Sequence, residues 1–292
     1  MTVPESLGGI FIAFGPAFAF FVVAIARDPL RIILFIVGAF FWLMSLLVSS
    51  LVWFLLVPLR NQLVVGLCFS VACQELFRYL FFIMLRSAQR GLEKVSNDQR
   101  MHIDGIHSLK NARHTLAAVC GLGMGVMSAL FFFVNIAADF SGAGTVGLPA
   151  RLMHGEGDAQ LADDYTFLLT ASLSASLLVL FHVAWTVIFW EACVGKGGAG
   201  AGGRVRSGAL LSVVVGSHYL SSLLSMLNGH GLASAVLPVQ LLILLMVGVV
   251  AYCVSGGRLG PLARPFLRSR RAPLHVDADQ ANAAEPPTAQ RL

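Results

Sequence analysis

Apolar residues run through this chain in long stretches, and polar residues interrupt them at intervals. Seven stretches stand out: residues 7–26, 32–57, 63–85, 115–137, 165–190, 208–227 and 232–255. A bilayer's hydrocarbon core is about 30 Å thick, and a helix needs about 20 residues to cross it. The pattern therefore predicts an all-α membrane protein with seven transmembrane helices. The second and fifth runs exceed the minimum and have room to tilt. The third is interrupted by Gln74, Glu75 and Arg78. The domain division that follows is a seven-span region, residues 1–257, and a basic tail, residues 258–292. The tail's Arg, Ala and Pro content predicts disorder.

Composition agrees with the pattern. Of the 292 residues, 57% are hydrophobic and only 12% are charged. Soluble domains hold about 45–50% apolar and about 25% charged residues. Too little charge is present to cover a water-exposed surface. This excludes an ordinary soluble enzyme, a disordered chain and a nucleic-acid binder.

The distribution of charge sets an expected orientation. The first apolar run has no Lys or Arg before it, and Glu5 lies there instead. A cleaved signal peptide would need a basic leading segment, so none is expected. With the N-terminus outside, the cytosolic segments are 27–31, 86–114, 191–207 and 256–292. They hold 17 of the 20 Lys and Arg residues. The outside segments hold Arg60 and Arg151, and the acidic segment 138–164 also falls there. Cytosolic segments of membrane proteins are the basic ones. The expected topology is N-terminus outside or lumenal and C-terminus cytosolic. The arginines of the tail can meet anionic lipid headgroups, and stop-transfer anchoring explains them equally well.

Several features narrow the chemistry. Five cysteines lie in or beside apolar runs without a CxxC spacing, which reads as apolar packing rather than metal binding. No internal repeat suggests an inverted-repeat transporter. The segment Gly195–Gly203 lacks the Lys-Ser/Thr ending of a phosphate loop and reads as a flexible connection. Gly15 and Pro16 predict a kink in the first span. Trp42, Trp53, Trp185 and Trp190 include candidates for the interfacial aromatic belt.

Ionisable side chains inside a membrane are costly and therefore informative. Glu75 and Arg78 are spaced i, i+3, and Gln74 is i, i+4 from Arg78, so the three are helix neighbours that can neutralise one another. They read either as an internal ion pair or as a contact with a partner or polar cavity. His182 and His218 lie on consecutive antiparallel spans, each about 12–15 Å from the cytosolic edge. They can tie two helices together, meet a partner or cavity, or serve a metal or proton relay. The last reading lacks a third ligand or a chain of carboxylates. Gly121, Gly125 and Ala129, spaced by four, form a stripe of small residues on the fourth span that allows close helix approach. The approaching helix belongs either to this chain or to a partner.

No catalytic set is visible. An aspartyl site needs two carboxylates within the bilayer, and Glu75 is single. Ser217 and His218 are adjacent on one helix and point about 100° apart, which is wrong for a dyad. Ser217 with His182 is geometrically open, but no nucleophile elbow accompanies it. The residues imply a chain that is not an enzyme by itself and has neither cofactor nor metal.

Seven motifs in order carry a resemblance: Phe14-Gly-Pro-Ala-Phe-Ala19, Asp28-Pro-Leu-Arg31, Gly38-Ala-Phe-Phe-Trp42, Gln74-Glu-x-Phe-Arg78, Gly121-x-x-x-Gly125, Asn135-Ile-x-Ala-Asp139 and Val215-Gly-Ser-His218. In these the chain resembles the anterior-pharynx-defective (Aph) subunit of γ-secretase, along nearly its whole length. The resemblance implies a seven-span scaffold that assembles with nicastrin, presenilin and presenilin enhancer. It implies that both catalytic aspartates lie in presenilin. The assembled protease cuts single-span membrane proteins such as Notch and amyloid precursor, in the endoplasmic reticulum, Golgi and plasma membrane. By the same resemblance, Gly121 and Gly125 support assembly, and His182 and His218 support presenilin association. Ala129 replaces the family's third glycine, the link Pro58–Gln62 is short, and Gly195–Gly203 is unusually glycine-rich. The competing readings are a seven-span receptor, whose sequence hallmarks are missing, and a transporter or channel using Glu75, Arg78, His182 and His218.

Overall fold

The computed structural model describes residues 3–56, 58, 62–98, 112–138, 158–195, 200–230 and 232–257. Among these residues seven α-helices follow in order: α1 Val3–Ala24, α2 Pro29–Leu55, α3 Leu63–Asp98, α4 Arg113–Ala138, α5 Asp158–Gly195, α6 Ala201–Met226 and α7 Ala233–Val254. A 3-10 turn, Leu227–His230, follows α6. All seven helices are long and apolar enough to cross a bilayer, which makes the chain an integral, multi-pass membrane protein. No strand occurs among the described residues.

The turn from α1 to α2 shows how local sequence sets the frame. Asp28 is the N-cap of α2, and its carboxylate accepts from the Leu30 backbone N–H at 3.0 Å. Pro29 follows at the first helical position, where its missing N–H costs nothing. Arg31 pairs with Asp28 at 3.0 Å and donates to the Ala24 carbonyl at 2.6 Å. One side chain thus satisfies an orphan carbonyl at the end of α1. At the other end of the bundle's sequence, α7 stops before Gly256, whose φ of 94° is a left-handed value open to glycine.

Helix α5 is the centre of the bundle and contacts α1, α4, α6 and α7. Every residue from Ala184 to Trp190 is buried. A helix that is apolar all round is one enclosed by other helices. Helix α4 sits between α5 and α2, and glycine lets it approach both. A Cβ added at Gly38 on α2 would lie 2.6 Å from the Cys120 carbonyl oxygen. Gly123 answers from α4, where an added Cβ would overlap the Phe35 carbonyl oxygen. In a bilayer such backbone proximity supplies dispersion contacts that hydrophobic exclusion does not.

Several expectations need correction. Helix α3 does not end near residue 85 but runs to Asp98. Its 36 residues span about 54 Å, more than a bilayer's thickness. Hydropathy bounds the apolar part of a helix and not the helix itself, and no proline interrupts residues 86–98. Helix α6 likewise begins at Ala201, so the last three residues of the glycine-rich stretch form its first turn. Trp42, Trp185 and Trp190 are buried in the bundle rather than placed in an interfacial belt. Pro16 lies inside α1, where it removes one backbone donor from the helix, as the expected kink at Gly15 and Pro16 requires. The tail 258–292, Arg60 and Arg151, most of the acidic segment 138–164 and residues 196–199 lie outside the described residues.

Candidate functional site

The i, i+3 spacing on α3 puts Glu75 and Arg78 on one face, and that face points into the bundle. Glu75 Oε1 accepts from Arg78 Nη1 at 2.7 Å. The same oxygen meets His218 Nδ1 of α6 at 2.6 Å. Arg78 Nη2 meets His182 Nδ1 of α5 at 3.0 Å. Arg78 and His182 are fully buried, and Glu75 and His218 nearly so. The four side chains therefore form one chain of contacts across three helices: His218, Glu75, Arg78, His182.

The partners assign the ring protons. Arginine only donates, so His182 Nδ1 must accept, and its proton sits on Nε2. His218 Nδ1 faces a carboxylate, so it carries the proton. The imidazole of His182 is then neutral, and the Glu75 and Arg78 charges cancel. The imidazole rings lie edge to face, with centroids 5.7 Å apart. They are joined through the ion pair rather than to each other.

This arrangement corrects one premise of the sequence reading. A carboxylate does accompany the histidines, because Glu75 reaches His218 across helices. It does not complete a proton relay. Arginine keeps its protons in proteins, so the chain is interrupted at Arg78. His182 has no free lone pair for a metal, since Arg78 occupies it. Among the described residues no group of three His, Cys, Asp or Glu is placed to hold a metal ion.

Gln74 takes a different direction. Its Oε1 accepts from Trp42 Nε1 of α2 at 3.2 Å, and its Nε2 donates to Ser70 Oγ at 3.3 Å. One residue from Glu75 is about 100° around the helix, so Gln74 serves the α2 contact instead of the ion pair. Ser217 is likewise engaged elsewhere. Its hydroxyl donates to the Val213 carbonyl at 2.6 Å and accepts from Trp185 Nε1 at 2.9 Å. Its proton is used by the helix backbone, not by a histidine.

The small-residue stripe turns out to face α5 of this chain. An added Cβ at Gly121 would lie 2.7 Å from the His182 carbonyl oxygen and 2.8 Å from Val183 Cα. At Gly125 it would lie 2.8 Å from the Val179 carbonyl oxygen and 3.1 Å from His182 Cβ. Ala129, further along the stripe, is completely buried. The stripe therefore seats the turn of α5 that carries His182, which joins two features the sequence presented as separate. A cavity of about 460 Å³ borders the cluster. His182 and His218 line it, together with Gln74, Ser128, Ser222 and Trp42.

Comparison with known proteins matches the Aph-1 protein family model over residues 4–258. The chain belongs to the Aph-1 family. Its relatives include the γ-secretase subunit aph-1 of Caenorhabditis elegans, 45% identical over 252 residues, covering 85% of this chain and 79% of that protein. The γ-secretase subunit Aph-1 of Drosophila melanogaster is 41% identical over 257 residues, covering 88% of this chain and 95% of that protein. The γ-secretase subunit Aph-1b of Danio rerio is 40% identical over 268 residues, covering 89% and 92%.

Within this Aph-1 family member, sequence reasoning missed three contributors to the site. Trp185 stacks on His218 with ring centroids 4.1 Å apart. Ser217 holds that indole. Gly123 brings α4 onto α2. The sequence offers Trp185 only as an interfacial candidate and Ser217 only as a poorly placed nucleophile, and Gly123 lies off the stripe spaced by four. The spacing His182-x-x-Trp185 does place the two on one helix face, and that signal was available.

A second polar cluster closes the end of the bundle where α5 stops and α6 starts. Glu191 accepts from Arg113 of α4 at 2.7 Å and lies 3.5 Å from Arg206 of α6. Helices α4, α5 and α6 thus meet at one carboxylate near their ends.

Proposed function

We propose that this chain is a non-catalytic, structural subunit of a γ-secretase complex, holding presenilin and nicastrin in place, with presenilin enhancer completing the assembly. Family membership supports the complex. One observation in the bundle supports the structural role. The acidic and basic side chains in the middle of the helices among the described residues, Glu75, Arg78, His182 and His218, are joined in a single cluster. It contains one carboxylate, where intramembrane aspartyl cleavage needs two. Cleavage of single-span proteins such as Notch and amyloid precursor then falls to presenilin.

The orientation belongs to the same proposal. Arg27, Arg31, Arg86, Arg90, Lys94, Arg113, Arg204 and Arg206 fall at the helix ends that share one side if consecutive helices alternate. That side is the cytosol under the positive-inside rule, which leaves the N-terminus outside or lumenal. The seven-span region 1–257 is the assembling part and 258–292 a basic cytosolic tail. The endoplasmic reticulum, Golgi and plasma membrane are the compartments expected.

In this proposal Gly121, Gly125 and Ala129 act on assembly through α5, by seating His182. His182 and His218 then present the cavity-side surface on which presenilin association depends. The test is the His182→Ala, His218→Ala double variant expressed with its partners. Reduced presenilin recovery at normal membrane insertion is expected. Full recovery and full protease output would reduce both histidines to packing residues.

A further inference from the structure

Trp185 lies one helical turn beyond His182 on α5 and is completely buried. It touches three members of the cluster. Its ring stacks on His218 with centroids 4.1 Å apart and planes 25° apart. It meets the His182 ring edge to face at 5.5 Å. The Arg78 guanidinium carbon lies 5.8 Å from its centre.

The indole is itself fixed. Nε1–H donates to Ser217 Oγ at 2.9 Å, and Ser217 is the residue before His218 on α6. The Ser217 hydroxyl spends its own proton on the Val213 carbonyl, so it is aimed at Trp185 as an acceptor. Phe181 stacks on the indole as well, at 4.9 Å. Hence α5 contributes His182 and Trp185, α6 contributes Ser217 and His218, and each pair grips the other.

The bond from His218 Nδ1 to Glu75 fixes one point of the imidazole. Turning about the Cβ–Cγ bond is then limited only by the angular tolerance of that hydrogen bond. A stacked aromatic face removes this freedom, because only one ring plane keeps both the stack and the hydrogen bond. The direction of Nε2 is then set, and Nε2 is the ring nitrogen that Glu75 does not use. We propose that Trp185, anchored by Ser217, is a positioning residue that holds the His218 ring in one plane and so fixes how Nε2 is presented at the cavity. Its consequence for presenilin association rests on the role proposed above for the histidines.

The test uses the full chain with nitrogen-15 in its histidine rings, in lipid nanodiscs, with His218→Gln to identify the His218 signals. Wild type should give one set of His218 ring signals, with a protonated Nδ1 whose proton exchanges slowly with water. Trp185→Leu should speed that exchange about tenfold, the loss expected for one aromatic stack. Trp185→Phe keeps a ring and should recover most of the protection. Ser217→Ala should give an intermediate value. Unchanged His218 signals and exchange in Trp185→Leu overturn the proposal, whatever happens to presenilin recovery. Should Trp185→Leu fail to fold, Ser217→Ala leaves the indole in place, and unchanged His218 exchange there overturns it equally. Faster exchange with full presenilin recovery supports the positioning role and removes His218 from the association surface instead.

Discussion

Replacing Gly121 and Gly125 together by alanine should destabilise the isolated bundle, although alanine is the better helix former. Ordinary contact begins near 3.4 Å, and the new Cβ atoms would meet α5 at 2.7 and 2.8 Å. The atoms they meet are carbonyl oxygens and Cα atoms, which cannot turn aside as a flexible side chain does. Helix α5 must retreat by several tenths of an ångström at His182. Overpacking costs about 1–3 kcal/mol per site, and rigid backbone neighbours favour the upper half of that range. The helix-propensity gain returns about 0.8–1.0 kcal/mol per site. The net loss is roughly 2–4 kcal/mol. For a bundle of this size that corresponds to a melting shift of roughly 5–15 °C. Gly248→Ala is the control, because its Cβ would meet nothing within 4 Å. There only the gain of about 1 kcal/mol remains. Thermal unfolding in one detergent, read by circular dichroism, compares the three chains. A double variant that melts with or above Gly248→Ala refutes the argument from close approach.

Two further predictions address the polar cluster and the topology. Glu75→Gln should cost about 3–5 kcal/mol by stranding buried Arg78, whereas Glu75→Leu with Arg78→Leu should cost less than either leucine change alone. Additive losses in that double-mutant cycle would contradict a coupled pair. An epitope tag before Met1 should be reached by antibody on intact, unpermeabilised cells, and a tag after Leu292 only once the membrane is opened. The reverse pattern would overturn the orientation.

Much of this architecture is legible in the residues, for physical reasons that also mark where legibility stops. Seven crossings follow from the thickness of hydrocarbon, which every span must match. The Glu75–Arg78 contact follows from helical spacing alone. The similar depths of His182 and His218 follow from counting residues to the ends of the apolar runs in which they sit. Direction around a helix is another matter. Gln74 looks equivalent to Glu75 in the sequence, yet it turns to Trp42 because α2 lies on that side. Trp185 resembles an interfacial anchor until its neighbours show it enclosed. The glycine stripe declares that some helix approaches closely, and only the packed bundle shows that this helix is α5 and that the contact is His182 itself. The end of α3 was hidden for a different reason: water tolerates a helix that continues past the membrane, and hydropathy is silent there.

The central claim is that the chain works as a subunit held among γ-secretase partners. Purification of the tagged full chain from native membranes in a mild detergent, with mass identification of what accompanies it, tests this most directly. The account predicts recovery of a presenilin-like protein and a nicastrin-like glycoprotein together with the chain. Recovery of the chain alone, from gently solubilised membranes that contain both proteins, would contradict it.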